Sequence, residues 1–370
     1  MNSTQRLLAV LTGELPDRVP ISTYELAGWN SRAWENLEPS YRRLMDFIRQ
    51  HTDCMYMTDV PVPNALAASW DVQTQHWDDG DQHVTCIVIH AGGRSLSSLS
   101  SYSDHIKTVW QREHLVKDLD DLRTYLDLPW EAGELDFAGL HRAWAELEDT
   151  RGLPLVTFED PLCELAEAFE FGNFMVHMMT EPAAMLAAMD CLHERRLEAL
   201  RRILRGPVCG VIFRIAGPEY ATPPYLPPDL FRLLVTRYDS RYVRMIQEAK
   251  AFARIHCHGK IARVLDQIDQ MSPDALDPLE PPPDGDIDLP ELKRRIGGRI
   301  CLMGGIELKH LETRGRPFVA DLVRRTIQAG KPGGRFVIMP TAAPINIPLS
   351  RDAEANYFRF IETALEAGIY

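Results

Sequence analysis

The feature that most constrains this chain is an alternation repeated eight times: short apolar, β-branched runs separated by amphipathic stretches. The runs are "RVPISTYE" (18–25), "DCMYMT" (53–58), "LPLVTFE" (153–159), "CGVIFRIAG" (209–217), "ARIHCH" (253–258), "ALDPLE" (275–280), "RICLMGG" (299–305) and "RFVIMP" (335–340). Near-continuous apolar strands imply a parallel sheet covered on both faces by helices. The stretches 228–251 and 317–330 carry apolar residues at helical spacing, as covering helices should. Eight strand–helix alternations favour an α/β chain folded as a (β/α)8 TIM barrel over an open doubly wound sheet. No GxGxxG follows the first strand, which weakens a dinucleotide-binding alternative. Residues 70–115 break the alternation and read as antiparallel strands, so an insertion at about 62–130 is expected after the second barrel strand, within a single domain spanning 1–370.

Bulk properties exclude several function classes. The chain has 370 residues, 45% hydrophobic and 25% charged, with a net charge of −13. That balance argues against a nucleic-acid binder, which needs a clustered basic surface. The locally basic "RRLEALRRILR" (195–205) reads as the solvated face of a helix. Seven scattered cysteines without CxxC spacing read as reduced thiols. No apolar signal core opens the sequence and no run is long enough to span a bilayer, so a cytoplasmic location is expected.

In a barrel of this kind the reactive groups lie at the carboxyl ends of the strands. Those ends carry Glu25, Glu159 and Asp160, Arg214 with Glu219 and Tyr220 beyond it, His256 and His258, Glu280, Glu307 and Thr341. Carboxylates also favour helix N-termini, so Glu25, Glu159, Asp160 and Glu307 read equally as caps. His256 and His258 are two apart, so a strand that runs through 258 turns both imidazoles to one side and Cys257 to the other; the alternative is one histidine in solvent and the other on a backbone carbonyl. Two imidazoles and the carboxylate of Glu280 form a common metal set that leaves open positions on zinc or iron.

The motifs taken together resemble the uroporphyrinogen decarboxylase superfamily. The resemblance rests on "LLAVLTGELPDRVPI", the histidine motif followed by Gly259, "ALDPLE", "RICLMGGIE" and the closing "EANYFRFIETALEAGIY", in matching order along nearly the whole chain. It implies the barrel fold, again independently of the strand count. The arginine-rich RQAGR signature of true decarboxylases is absent; the corresponding region reads "TYELAGWNSRAWE". The resemblance therefore points to the branch of methyltransferases that work with corrinoid proteins. Their zinc motif, His-x-Cys-Gly, places His256 on the histidine, His258 on the cysteine and Gly259 on the glycine. Cobalamin-independent methionine synthase, a more distant relative, supports Glu280 as the third ligand. Departures are the histidine at 258 and the lack of a late cysteine near Thr341. A site of neutral histidines and one glutamate suits polarising an oxygen rather than activating a thiol.

The expectation is a metal-dependent methyltransferase-like enzyme acting on a small oxygen-bearing, methoxylated substrate. His256, His258 and Glu280 would hold zinc or iron. Glu219, Tyr220 and Glu307 would be catalytic, and Glu25, Asp160, Arg214 and Thr341 would bind substrate. No DxHxxG motif is present, so any cobalamin would arrive on a corrinoid partner protein. The superfamily resemblance also implies a homodimer. Two alternatives stand beside this reading: a metal-dependent decarboxylase or lyase on a small carboxylated substrate, and a barrel that only binds a ligand.

Overall fold

The computed structural model describes residues 1–370. β1 (Cys54–Thr58) is followed by four strands of a separate antiparallel sheet, β2 (Asp71–Asp79), β3 (Gln82–Ala91), β4 (Arg94–Ser103) and β5 (Ile106–Glu113). Then come β6 (Gly152–Glu159), β7 (Ile212–Ala216), β8 (Phe252–His256), β9 (Ala275–Asp277), β10 (Cys301–Ile306) and β11 (Phe336–Pro340). These six join β1 in a seven-stranded sheet in chain order, every neighbouring pair parallel. β10 and β11 are buried along their whole length, as apolar runs between helical layers must be. The covering helices bury one stripe each; Arg237–Glu248 does so with Tyr242, Val243 and Ile246.

The expected first strand, 18–25, is a single bridge rather than a ladder. Ile21 pairs parallel with Ile338 of β11, and Asp53 at the start of β1 donates its N–H to Ile21 O at 2.7 Å. The sequence explains the brevity. Pro20 has no N–H to give, and Tyr24 turns to φ 58°, a left-handed conformation that ends extended structure. Buried Asp53 holds the segment instead, accepting from Arg6 Nη1 at 2.6 Å, Arg18 Nη2 at 3.3 Å and Ile21 N at 2.9 Å.

β8 ends at His256, two residues short of the expected end, although Cys257 N still donates to Asp277 O at 2.7 Å. The helix expected over 228–251 is interrupted by a π-helical turn, Arg232–Thr236, before Arg237–Glu248 resumes. The basic stretch 195–205 is more than a solvated face. Arg195 and Arg202 donate to Leu126 O (2.6 Å) and Ala132 O (2.5 Å), which ties down the segment returning from the insertion. The inserted sheet reaches back over the carboxyl ends of the parallel strands. Lys107 N donates to Ile345 O and Ile347 N to His105 O, both at 2.9 Å, clasping the β4–β5 turn to the loop after β11. All seven cysteines are free, and no helix is long and apolar enough to cross a membrane.

Candidate active site

A charged network lies at the carboxyl ends of β7, β8 and β9. Arg254 and His256 sit two apart on β8 and so face the same side; Asp277 is the register partner of His256 on β9. Arg254 Nε and Nη2 grip the two oxygens of Asp277, and both residues are buried. His256 Nδ1 donates to Asp277 Oδ2 at 2.9 Å, which leaves Nε2 as the acceptor for Arg214 Nη2 at 2.7 Å. The imidazole is therefore neutral. Burial pushes it down to about 4, with the Arg214 charge acting in the same direction and Asp277 opposing. Asp277 is held well below the usual carboxylate range, because Arg254 and His256 overcome its desolvation. Arg214 Nη2 also donates to Tyr24 Oη at 3.1 Å, and the Tyr24 ring stacks on His256 at 6.3 Å between centroids. The strained turn at Tyr24 thus delivers its ring and hydroxyl to the network.

A second tier of acids stands next to this network. His258 lies edge-on to His256 with centroids 4.7 Å apart, and its Nδ1 meets Glu280 Oε1 at 2.8 Å. Burial would lower the imidazole, but the Glu280 hydrogen bond and charge raise it on balance. Glu280 Oε2 accepts from Gly259 N at 2.6 Å. Cys257 points the other way into the apolar core, as the strand alternation requires. Glu307 is buried beside Thr341 Oγ1 (3.4 Å), and its other oxygen has no partner. Desolvation, with the charges of Glu280 and Asp284 nearby, pushes Glu307 up to about 7. Glu219 is raised by burial as well, even though Gly217 N donates to its Oε2 at 3.1 Å. Gly304 lets this tier pack closely: a Cβ there would come 2.4 Å from Leu279 N.

An apolar recess of about 490 Å³ opens onto Tyr24 and Glu25. The inserted sheet supplies Ile106 and Trp110, and Leu308, Ala342, Ala343 and Ile345 complete the wall. Glu25 is solvent-exposed at the rim, yet desolvation within the recess raises its carboxyl.

The structure thus gathers Arg214 with His256, and His258 with Glu280, in two hydrogen-bonded pairs whose imidazoles meet edge-on. It places Glu219, Glu25 and the Glu307–Thr341 pair within electrostatic reach of them. Two expected residues lie elsewhere. Tyr220 turns its hydroxyl to Glu167 (3.1 Å) and packs on Phe171, away from the histidines. Asp160 is fully buried and caps the helix Pro161–Ala168 through Cys163 N at 2.6 Å, so the capping alternative describes it. Sequence reasoning missed Tyr24, Arg254 and Asp277. Arg254 was legible as the i−2 neighbour of His256, and Asp277 as a buried acid inside an apolar strand.

The expected metal set does not fit an ion as it is arranged. The nitrogen of His256 that would coordinate already accepts from a guanidinium, and both Glu280 oxygens are engaged. The structure brings three other ligand atoms within 4.8 Å of one another, on Glu159, Cys163 and Glu167. There Glu159 is paired with Arg196 at 3.1 Å and Glu167 accepts from Tyr220.

Comparison with known proteins agrees with this architecture. The model of the uroporphyrinogen decarboxylase (URO-D) family matches residues 162–351, which span β7 to β11 with most of the site, and the chain belongs to that family. Among solved structures, a methyltransferase from Methanosarcina mazei superposes with a TM-score of 0.60 over 99% of both chains at 13% identity, a likeness of fold. No curated protein matches.

Proposed function

We propose that this chain is a methyltransferase that takes a methyl group from a small methoxylated compound and passes it to a corrinoid carried by a partner protein. The observation that carries the reading is one recess where an apolar wall meets two raised glutamates, Glu25 and Glu312, and Tyr24, whose hydroxyl accepts from Arg214 behind it. The Ile106–Trp110 wall takes the apolar body of the substrate. Arg214, whose buried Nε has no partner, binds an oxygen or carboxylate of the substrate. The methyl–oxygen bond breaks with its electron pair left on oxygen, and that oxygen takes a proton from Glu307 or Glu219. An acid near 7 is matched to proton donation at neutral pH. The fold neighbour named a methyltransferase supports the choice of reaction over decarboxylation.

The test uses 2-methoxybenzoate, which offers both a methoxy and a carboxylate group, with reduced cobalamin as acceptor. Methylcobalamin forming with the wild type, and slowing about 100-fold in Glu307→Gln, is the expected result. Release of carbon dioxide without any acceptor would replace this reading with the lyase.

A second reading rests on the His258–Glu280 contact and the adjacent His256 ring. In it His258 and Glu280 would hold zinc, which would supply a Lewis acid for a substrate oxygen. Metal content of tag-free protein, measured by mass spectrometry beside His258→Ala, decides between the two.

A further inference from the structure

Two carboxyl groups outside the site are buried without counterions. Asp160 and Asp239 are both 0% exposed. One Asp160 oxygen accepts from Cys163 N; the other, and both oxygens of Asp239, meet no N–H or hydroxyl of any other residue. The Asp239 carboxyl is held well above its ordinary range by burial first, and then by the charge of Asp160 and a hydrogen bond with it. Nearby polar groups are engaged elsewhere. Arg196, the one cation acting on Asp160, bridges Glu159 and Glu164 (3.1 and 2.9 Å). Tyr242 Oη pairs with His193 Nδ1 at 2.6 Å, and Cys163 Sγ with Glu167 at 3.6 Å. Glu219 and buried Cys257, the other titratable groups facing the pair, add no positive charge.

Two ionised carboxylates in contact in a dry interior repel too strongly to persist, so one proton is retained between them. Asp160 holds the negative charge, because Cys163 N–H and the helix N-terminus stabilise it there. Asp239, with no other donor to satisfy it, keeps the proton and donates to Asp160.

That contact leads to the site. Gly217 lies against Asp160: a Cβ would come 1.9 Å from Asp160 Oδ1, and the backbone there has φ 132°, so only glycine fits. Gly217 N in turn holds Glu219 at 3.1 Å. We propose that Asp239 and Asp160 share one proton and form a positioning pair, which seats Gly217 and through it aims Glu219 into the active site. The proposal rests on the reading of Glu219 as a site acid. The aspartate pair itself rests on the full burial of both carboxyls, on oxygens that meet no other donor and on the close approach of Gly217 to Asp160.

Two variants separate donation from ionisation. Asp239→Asn keeps a donor to Asp160 but cannot titrate; Asp239→Leu removes the donor. In protein labelled with 13C-aspartate, the infrared spectrum of the wild type should show a protonated aspartyl carbonyl that persists at about pH 8, where ordinary aspartates are ionised. Asp239→Asn should lose that band. Absence of the band from the wild type overturns the proposal, and bound cation found by metal analysis would then explain the pair. Hydrogen exchange of peptides covering 217–221 should quicken about tenfold in Asp239→Leu and stay unchanged in Asp239→Asn. Unchanged exchange in the leucine variant overturns the link to Glu219. Where the leucine variant fails to fold, Asp239→Ala, which removes the donor without adding bulk, replaces it with the same expectation. In the methyl-transfer assay the leucine variant should lose kcat about tenfold with KM within about twofold, and the asparagine variant should restore kcat. If no methyl transfer occurs in any variant, the functional reading fails while the band and the exchange rates still judge the pair.

Discussion

Two buried charge clusters a few strands apart solve the same problem differently. On β7, β8 and β9, the Arg254 guanidinium pairs with the Asp277 carboxylate, and the neutral His256 imidazole bridges Asp277 to Arg214. At the base of the Glu219 turn, Asp160 and Asp239 have no cation to balance them, and a proton does so. The difference teaches where each cluster is vulnerable. A balanced ion network fails when one partner is removed, because the remainder is a buried unpaired charge. A shared-proton pair tolerates a neutral isostere, since neutrality is already its working state.

The largest effect tests the balanced cluster. Asp277→Asn leaves the Arg254 guanidinium buried without its carboxylate, and the expected loss is about 3–5 kcal/mol by urea unfolding. A loss under about 1 kcal/mol would mean that water reaches Arg254 and the two clusters are not distinct.

The next effect is read from pH. Folded His256 titrates near 4, below its ordinary 6.5, so as pH falls the unfolded chain takes the proton first. The network's contribution is complete above the ordinary value and is lost through that window, by up to about 3 kcal/mol. Glu307 acts in the opposite sense. Its folded value of about 7 exceeds the ordinary 4.5, so its contribution is present at low pH and is lost as pH rises through 7. The two oppose in a raw stability profile, and the variants separate them. His256→Gln should flatten the acid-side loss, and Glu307→Gln should flatten the decline toward neutral pH. A profile unmoved by His256→Gln would show that the imidazole is not held neutral.

Arg214 gives a smaller, sharper test. Removing it frees His256 Nε2, and Arg214→Ala should strengthen zinc binding about tenfold against a competing chelator. Unchanged affinity would show that the guanidinium does not block the nitrogen. The smallest effect belongs to the acid pair: Asp239→Asn should alter stability by less than about 1 kcal/mol, measured by the same urea unfolding. A loss matching that of Asp277→Asn would mean that Asp239 is ionised and paired after all.

Much of the architecture was legible in the sequence because apolar runs of strand length and 3.6-residue periodicities reflect burial directly. Seven of the eight expected strands form ladders at close to the expected places, and the antiparallel insertion lies where the alternation breaks. The exception, 18–25, contains its own reason in Pro20, which cannot donate to a ladder. His256 and His258 do come together, but His258 lies beyond the end of β8, so alternation along the strand does not by itself place it. Pattern could not assign hydrogen-bond partners. Whether His256 faces a metal or Arg214, whether Glu280 binds an ion or Gly259 N, and whether Asp160 faces substrate or caps a helix all depend on which strands lie side by side.

By itself the sequence determined the order of strands and helices, the inserted sheet and the carboxyl-end location of the polar residues, since these depend on local pattern and chain order. Only the tertiary structure decided the charge states. It brought Asp277 from β9 to His256 on β8, Arg214 from β7 to the same imidazole, and Asp239 from a distant helix onto Asp160. Whether a buried group is ionised depends on the nearest opposite charge or proton in space, and that neighbour is remote along the chain in each case.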